Sequence, residues 1–173
     1  MHRLTKTLLP IVALLSAAGC GFQMQGRTDY VEELESVYLQ MPNRNSDLAR
    51  ELRRSLKVAD VKLAPTAGEA TAVLEVTRDN SGREVESVSA ENRPREYRVF
   101  YTAVYRVTSG EEVLLRPQRV TRTRIYTYDE LEVLAKDHEE TLLRGALAKE
   151  IAGVIARRLA TIEVPEAPSS PTT

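Results

Sequence analysis

The stretch "REYRVFYTAVYRV", residues 95–107, decides the fold. Its apolar and aromatic side chains recur at every second position, and charged or polar residues occupy most of the positions between them. This alternation is typical of a β-strand with one buried and one solvated face. The face predicted to be buried carries Tyr97, Val99, Tyr101, Ala103, Tyr105 and Val107.

Further strands are predicted on both sides of this stretch. Residues 71–89, "TAVLEVTRDNSGREVESVS", are rich in β-formers and predict a turn or bulge near 79–82. After a hairpin turn at "TSGEE", residues 113–128 predict another strand, and Pro117 favours the edge of a sheet or a bulge for it. Residues 36–41, "SVYLQM", predict an earlier strand, and "VKLAP", residues 61–65, a short extended piece.

Two amphipathic helices complete the pattern. Ser46 is predicted to cap the first helix, which has leucines at every fourth position from 48 to 56. Asp129 and Asp137 each have Glu three residues later, which predicts a short helical turn and then the start of a long helix. Gly145 and Gly153 within it predict close packing against a neighbour. Its apolar stripe comprises Leu143, Leu147, Ile151, Val154, Ile155 and Leu159.

The order of these elements indicates an α+β fold. A mostly antiparallel sheet of about four strands, with both helices packed on one face, buries every apolar stripe. The other face of the sheet is then polar and rich in Arg and Thr.

The N-terminus has the layout of a secretory signal. Positive charges precede a short apolar stretch, which leads into small residues and the single cysteine of the chain, Cys20. The predicted organisation is a lipoprotein signal peptide over residues 1–19, one domain over 20–162, and a disordered Pro/Ser/Thr-rich tail over 163–173. The alternative for Cys20 is a buried free thiol in a helical N-terminus.

Signals for catalysis are absent from the sequence. There is no G-x-S-x-G motif, no phosphate-cradling glycine-rich loop, and no second His to complete a zinc motif with His138. We therefore predict no catalytic residues, no metal site and no cofactor. The net charge of −1 does not favour nucleic-acid binding.

Basic residues crowd the strand region of this slightly acidic chain. One interpretation is a solvated strand face that protects a sheet edge from aggregation. The other is a surface that binds phosphate groups, since guanidinium groups pair with them in a bidentate fork. The residues are Arg93, Arg95, Arg98, Arg106, Arg116, Arg119, Arg122 and Arg124.

Three segments resemble one known family. "AGCGFQMQG" around Cys20, "EYRVFYTAVYRV" in the strong strand, and "LAKDHEETLLRGALAKEIAGVIARRL" at residues 134–159 resemble the LPS-assembly lipoprotein family, LptE. The resemblance extends over almost all of residues 20–162. It implies that Cys20 carries S-diacylglycerol and an N-acyl chain such as palmitate, and that the protein is held in the inner leaflet of the outer membrane.

The resemblance also implies partners and a site. Members plug and help to assemble the LPS-transport β-barrel, LptD, and contact lipopolysaccharide during its insertion into the outer leaflet. The LPS-contacting Lys of "LAKD" corresponds to Lys136, and Arg93 and Arg95 are candidates for a second basic site before "EY". We expect both sites to face solvent. The alternative function is a free periplasmic lipid-binding or transport-accessory lipoprotein without a barrel partner.

Overall fold

The computed structural model describes residues 34–129 and 133–162, with the side chains of the second helix described from Lys136 onward. Within these residues, five strands and two helices follow in the order βαββββα, with a short 3₁₀ turn, Ala67–Glu69, between the second and third strands. The elements are β1 Ser36–Gln40, α1 Asp47–Val58, β2 Lys62–Leu63, β3 Ala72–Val88, β4 Pro94–Ser109, β5 Glu112–Thr127 and α2 Val133–Leu159.

The strands form one sheet in the order β2-β1-β3-β4-β5. β3, β4 and β5 are antiparallel neighbours, whereas β1 pairs in parallel with both β2 and β3. The predicted α+β class is confirmed. The fifth strand is the two-residue β2, which lies within the extended piece at residues 61–65.

β3 runs straight through the position where a turn or bulge was predicted. Residues 79–82 pair in unbroken register with residues 100–103 of β4. The register shifts lie on either side, between Val76 and Arg78 and at two positions between Val85 and Val88. Gly82 does not mark a turn. It lies opposite Phe100, and a Cβ at this position would be 2.9 Å from Phe100 Cζ. The glycine therefore makes room for an aromatic ring on the open face of the sheet.

The core lies between the sheet and the two helices. Leu147 and Ile151 of α2 are fully buried, and they share one hydrophobic cluster with the apolar face of β4, as predicted. The same cluster includes the α1 leucines, so both helices cover one face of the sheet. The buried β4 residues are Val99, Tyr101, Ala103, Tyr105 and Val107.

The start of α1 is held to the middle of the sheet. The Ser46 hydroxyl accepts a hydrogen bond from the Ala49 amide at 3.1 Å, which confirms the predicted N-cap. The Tyr101 hydroxyl accepts from the Leu48 amide at 3.3 Å and donates to Asp79 Oδ1 at 2.7 Å. One buried phenol thereby connects β4, β3 and the first turn of α1.

Two predictions about α2 are wrong. In the described part of the chain the helix is already formed at Val133, so Asp137 lies inside it and does not cap it. Gly145 and Gly153 are not at packed contacts, because a Cβ at Gly145 would meet nothing within 4 Å and one at Gly153 only the Arg157 side chain.

Several predictions lie outside the described residues: the signal peptide, Cys20, and the tail at residues 163–173. Within the described part, no helix is long and apolar enough to cross a membrane.

Candidate functional site

Lys136 lies near the start of α2. Its side chain is 18% exposed, and its ammonium group donates to Glu139 Oε2 at 3.0 Å. Lys136 was expected to face solvent, and its side chain reaches solvent only in part. The lysine is partly enclosed and presents a fixed charge at this end of the helix.

Arg93 and Arg95 lie where the chain turns from β3 into β4, and both are exposed. The turn is closed by a hydrogen bond from the Ser89 amide to the Arg93 carbonyl at 2.7 Å. Asn92 has a φ of 59°, a left-handed conformation that Asn tolerates better than most residues. The two arginines thus lie on a closed turn, residues 89–95, which we call the arginine hairpin.

A group of tyrosines connects this hairpin to the segment that leads into α2. The Tyr128 amide donates to the Arg95 carbonyl at 2.8 Å. The ring of Tyr97 packs edge-to-face on Tyr128 at 5.1 Å and stacks on Tyr126 at 5.9 Å. Because the first turns of α2 also pack here, the structure brings Lys136 and Arg95 to the same end of the molecule.

A charged cluster fixes α2 at this end. Arg83 Nη1 donates to Glu140 Oε2 at 2.7 Å and its guanidinium lies 4.9 Å from the centre of the Tyr97 ring. Arg144 pairs with the same carboxylate, and the Tyr126 hydroxyl is 3.5 Å from it. Glu140 is one helical turn after Lys136 and is buried, so this cluster sets the position of the lysine.

The electrostatics of the cluster follow from these contacts. The hydrogen bond with Tyr126, together with the pairing with Glu140, raises the pKa of Arg83 above its usual value despite partial burial. Burial raises the pKa of the Tyr126 phenol. Sequence reasoning missed this cluster because Glu140 was assigned to a helix cap. The only available signal was that Glu140 and Arg144 are separated by one helical turn.

The other strand arginines do not form one basic surface. Arg98 pairs with Glu84 and Glu86 on the open face of the sheet, and Arg106 with Glu75 at 2.5 Å on the same face. Arg124 lies on the helix-covered side, where it donates to Glu150 of α2 at 2.5 Å. For these residues the solvated, ion-paired strand face is the better interpretation.

Across residues 34–129 and 133–162, no three His, Cys, Asp or Glu side chains come close enough together to hold a metal ion. His138 is exposed on α2.

Several solved structures have the same architecture. A minor lipoprotein from Acinetobacter baumannii has a TM-score of 0.64 at 21% identity, over 79% of this chain and 98% of that one. The rare lipoprotein B from Shewanella oneidensis has a TM-score of 0.63 at 25% identity, over 73% of this chain and 94% of that one. The class of fold is thus a small α+β domain that bacterial lipoproteins also have.

The family follows from sequence. The model of the lipopolysaccharide-assembly family LptE matches residues 34–159. The LPS-assembly lipoprotein LptE of Pectobacterium atrosepticum is 31% identical over 163 residues, which cover 93% of this chain and 87% of the relative. That of Photorhabdus laumondii is 26% identical over 161 residues, with 93% and 87% covered. The chain belongs to the LptE family of LPS-assembly lipoproteins.

Proposed function

We propose that this chain is an outer-membrane lipoprotein that plugs and helps to assemble the LPS-transport β-barrel, LptD, and contacts lipopolysaccharide during its insertion. It is anchored in the inner leaflet through acylated Cys20, and its domain occupies the barrel lumen. Family membership and the basic, aromatic end of the molecule support this proposal. The role requires no catalytic residue.

The open face of the sheet suits a plug. Two of its arginines are paired with acids on the neighbouring strand, Arg98 with Glu84 and Glu86 and Arg106 with Glu75. Thr102 and Thr121 add a cross-strand hydrogen bond at 3.0 Å. The lumen of a large outer-membrane barrel is polar and wet, so the ion-paired side chains of this face can lie against it and keep their partners.

The observation that carries the LPS contact is the convergence of Lys136 with the arginine hairpin. Lipid A has phosphate groups, which lysine binds as a point charge and arginine through a bidentate fork. Glu140, Arg83 and Arg144 hold the helix that carries Lys136. A preorganised cation loses little freedom on binding, which favours affinity.

Purification from outer membrane tests the partner. A plug brings a stoichiometric barrel protein with it when the tagged chain is isolated in mild detergent. Isolation of the chain alone, with lipid bound, supports the free periplasmic lipid-binding lipoprotein instead.

Charge reversal tests the lipid contact. Lys136→Glu with Arg93→Glu is expected to weaken LPS binding in vitro, and the difference shrinks at raised salt because exposed charges are screened. Lys57→Glu with Arg116→Glu is the matched control, since it changes the net charge equally at two exposed positions on other elements. Thermal unfolding establishes that each variant is folded. Equal LPS affinity of the two folded variants contradicts a contact at Lys136 and Arg93.

A further inference from the structure

The outer side of α2, in its second half, contains a depression of about 550 Å³. It is lined by Gly153 and by residues of α1, β5 and α2. Because the packed side of α2 is defined by buried residues such as Ile151 and Ile155, this depression opens to solvent on the opposite side. The wall residues that matter here are Ser55, Arg122, Lys149, Glu150 and Arg157.

Gly153 has no packing role in the domain. The nearest heavy atom to its Cβ position is Arg157 Nη1 at 3.4 Å, from a flexible side chain one turn further along. Glycine is unfavourable in a helix interior, where it adds backbone freedom to the unfolded chain. The lack of a side chain here instead keeps the depression open and lets the Arg157 guanidinium lie over the helix.

The residues that line the depression have more hydrogen-bond donors than there are acceptors among them. Three cations face it, Arg122, Lys149 and Arg157, and Glu150 is the acid among its lining residues. That carboxylate already accepts from Arg124 at 2.5 Å and is 4.0 Å from Arg122 Nε. In the described part of the chain, Lys149 and Arg157 have no acidic partner within 4.0 Å, and the Ser55 hydroxyl has no side-chain hydrogen bond.

We propose that this depression binds the phosphate group of a lipid. Arginine, lysine and a hydroxyl are the side chains that recognise phosphate, through charge-assisted hydrogen bonds. The repulsion among the three cations is relieved when an anion is bound. The phosphate can belong to lipid A or to a phospholipid headgroup, because both present the same group.

This site is separate from the one at Lys136. The 21 residues from Lys136 to Arg157 span about 30 Å along a helix that rises about 1.5 Å per residue. The two sites lie toward opposite ends of α2, so the second does not depend on the LPS contact or on the barrel plug. It places a phosphate contact at each end of one helix.

Glycine amides provide a local readout. The full-length acylated protein, labelled with ¹⁵N-glycine and held in neutral detergent, is titrated with inorganic phosphate, lipid A or phosphatidylglycerol. We expect the Gly153 amide resonance to shift while that of Gly145, two turns earlier in α2, does not. A shift with lipid A alone identifies the glycolipid as the source, and a shift with phosphatidylglycerol alone identifies phospholipid. A Gly153 resonance that stays unchanged with all three overturns the proposal.

Paired variants separate this site from nonspecific attraction of the anion to exposed cations. Lys149→Gln with Arg157→Gln is expected to weaken binding, measured by the Gly153 shift, about tenfold, or about 1.4 kcal/mol. Arg116→Gln with Arg119→Gln removes the same charge from exposed positions of β5 and leaves the affinity unchanged. Equal weakening by both pairs means that net charge alone attracts the anion, and the proposal is then wrong.

Two leucine substitutions test the shape of the depression. Gly153→Leu fills it without changing charge and is expected to abolish the response at neighbouring α2 amides. Gly145→Leu replaces the other α2 glycine, whose Cβ position is open, and leaves binding intact. Both replacements favour helix, so lost folding does not explain a difference between them. We expect the Gly153→Leu variant still to bind LPS at Lys136. A loss confined to the depression then contradicts neither the proposed function nor the LPS contact at Lys136.

Discussion

Glu140 of α2 accepts a hydrogen bond from Arg83 of β3 at 2.7 Å, joining the helix to the sheet through a buried carboxylate. Arg144 pairs with the same group from one turn along the helix. The contact connects residues that are 57 positions apart in sequence. It decides where the first turns of α2 lie, and therefore where Lys136 presents its charge.

Glu140→Gln is expected to lower the free energy of unfolding by about 1–3 kcal/mol, the usual range for a hydrogen bond to a charged group. The amide keeps the shape but leaves Arg144 without its counter-charge, and Arg83 with only the Asp137 carboxylate at 3.9 Å. Chemical denaturation measures the change. Glu139→Gln is the control, because Glu139 is the neighbouring acid and its side chain is 44% exposed, so its change should stay within about 0.5 kcal/mol. Similar values for both variants would mean that the cluster does not hold the helix.

Truncation of the helical core has a matched pair within α2. Leu147→Ala is expected to cost about 2–5 kcal/mol, as buried leucines usually do. Leu142→Ala, at a residue that is 61% exposed, should change stability by no more than about 0.5 kcal/mol. Urea unfolding of both variants measures the difference. A cost below about 0.5 kcal/mol for Leu147 contradicts its place in the core.

The buried phenol of Tyr101 predicts a dependence of stability on alkaline pH. Burial, and the hydrogen bond to Asp79, raise the pKa of Tyr101 above its usual value of about 10. The folded state therefore holds this proton more tightly than the unfolded state does. Its contribution is complete below about pH 10 and is lost as pH rises toward the folded-state pKa.

Tyr101→Phe should consequently show a shallower loss of stability above pH 10. At neutral pH it is expected to cost about 1–2 kcal/mol, because Asp79 and the Leu48 amide lose their partner. Denaturation at pH 8 and pH 11 measures both effects. Identical pH slopes for the variant and the parent would contradict the assignment.

Exposed valines beside the arginine hairpin are candidates for acyl-chain contact. Val85 is 48% exposed opposite Tyr97, and Val88 is 51% exposed opposite Pro94. Val85→Ser with Val88→Ser is expected to weaken binding of acylated LPS several-fold and to leave binding of deacylated LPS unchanged. Val58→Ser is the control, since this valine is 81% exposed at the end of α1. Equal effects on both forms of LPS exclude an acyl contact.

Acylation of Cys20 remains a prediction, which Cys20→Ser tests. The serine variant is expected to leave the membrane fraction, because several acyl chains anchor a protein durably and a hydroxyl carries none. If the barrel also retains the domain, release is partial and becomes complete in cells depleted of the barrel. Intact-mass analysis that finds an unmodified parent chain beginning at Met1 would contradict acylation.

Most of the fold was predictable because apolar periodicity reports burial directly. The alternation around Tyr101 and the stripe through Leu147 each match the buried faces. The start of α2 was not predictable, because an Asp followed by Glu three residues later has the same pattern at a cap and inside a helix. Only the tertiary contact with Arg83 distinguishes the two.

The site was predictable in part for a similar reason. Arg98 and Arg124 are both arginines in neighbouring strands, β4 and β5. The register of these strands places them on opposite faces of the sheet. Each finds an acid on a different element, Glu84 for the first and Glu150 for the second. Which cations remain available for a ligand depends on these long-range pairings, and local sequence does not contain that information.

The parallel pairing of β1 with β3 has a consequence for the order in which the domain can form. Val37 of β1 lies beside Ala72 of β3, and the leucine stripe of α1 shares its core with α2, which follows all of these strands in the chain. Because the chain is made from its N-terminus, β1 and α1 are present before β3 and α2, the elements against which they pack. During that interval Leu48, Leu52 and Leu56 have no core to enter. The nascent domain must be shielded from aggregation until its final thirty or so residues have been delivered.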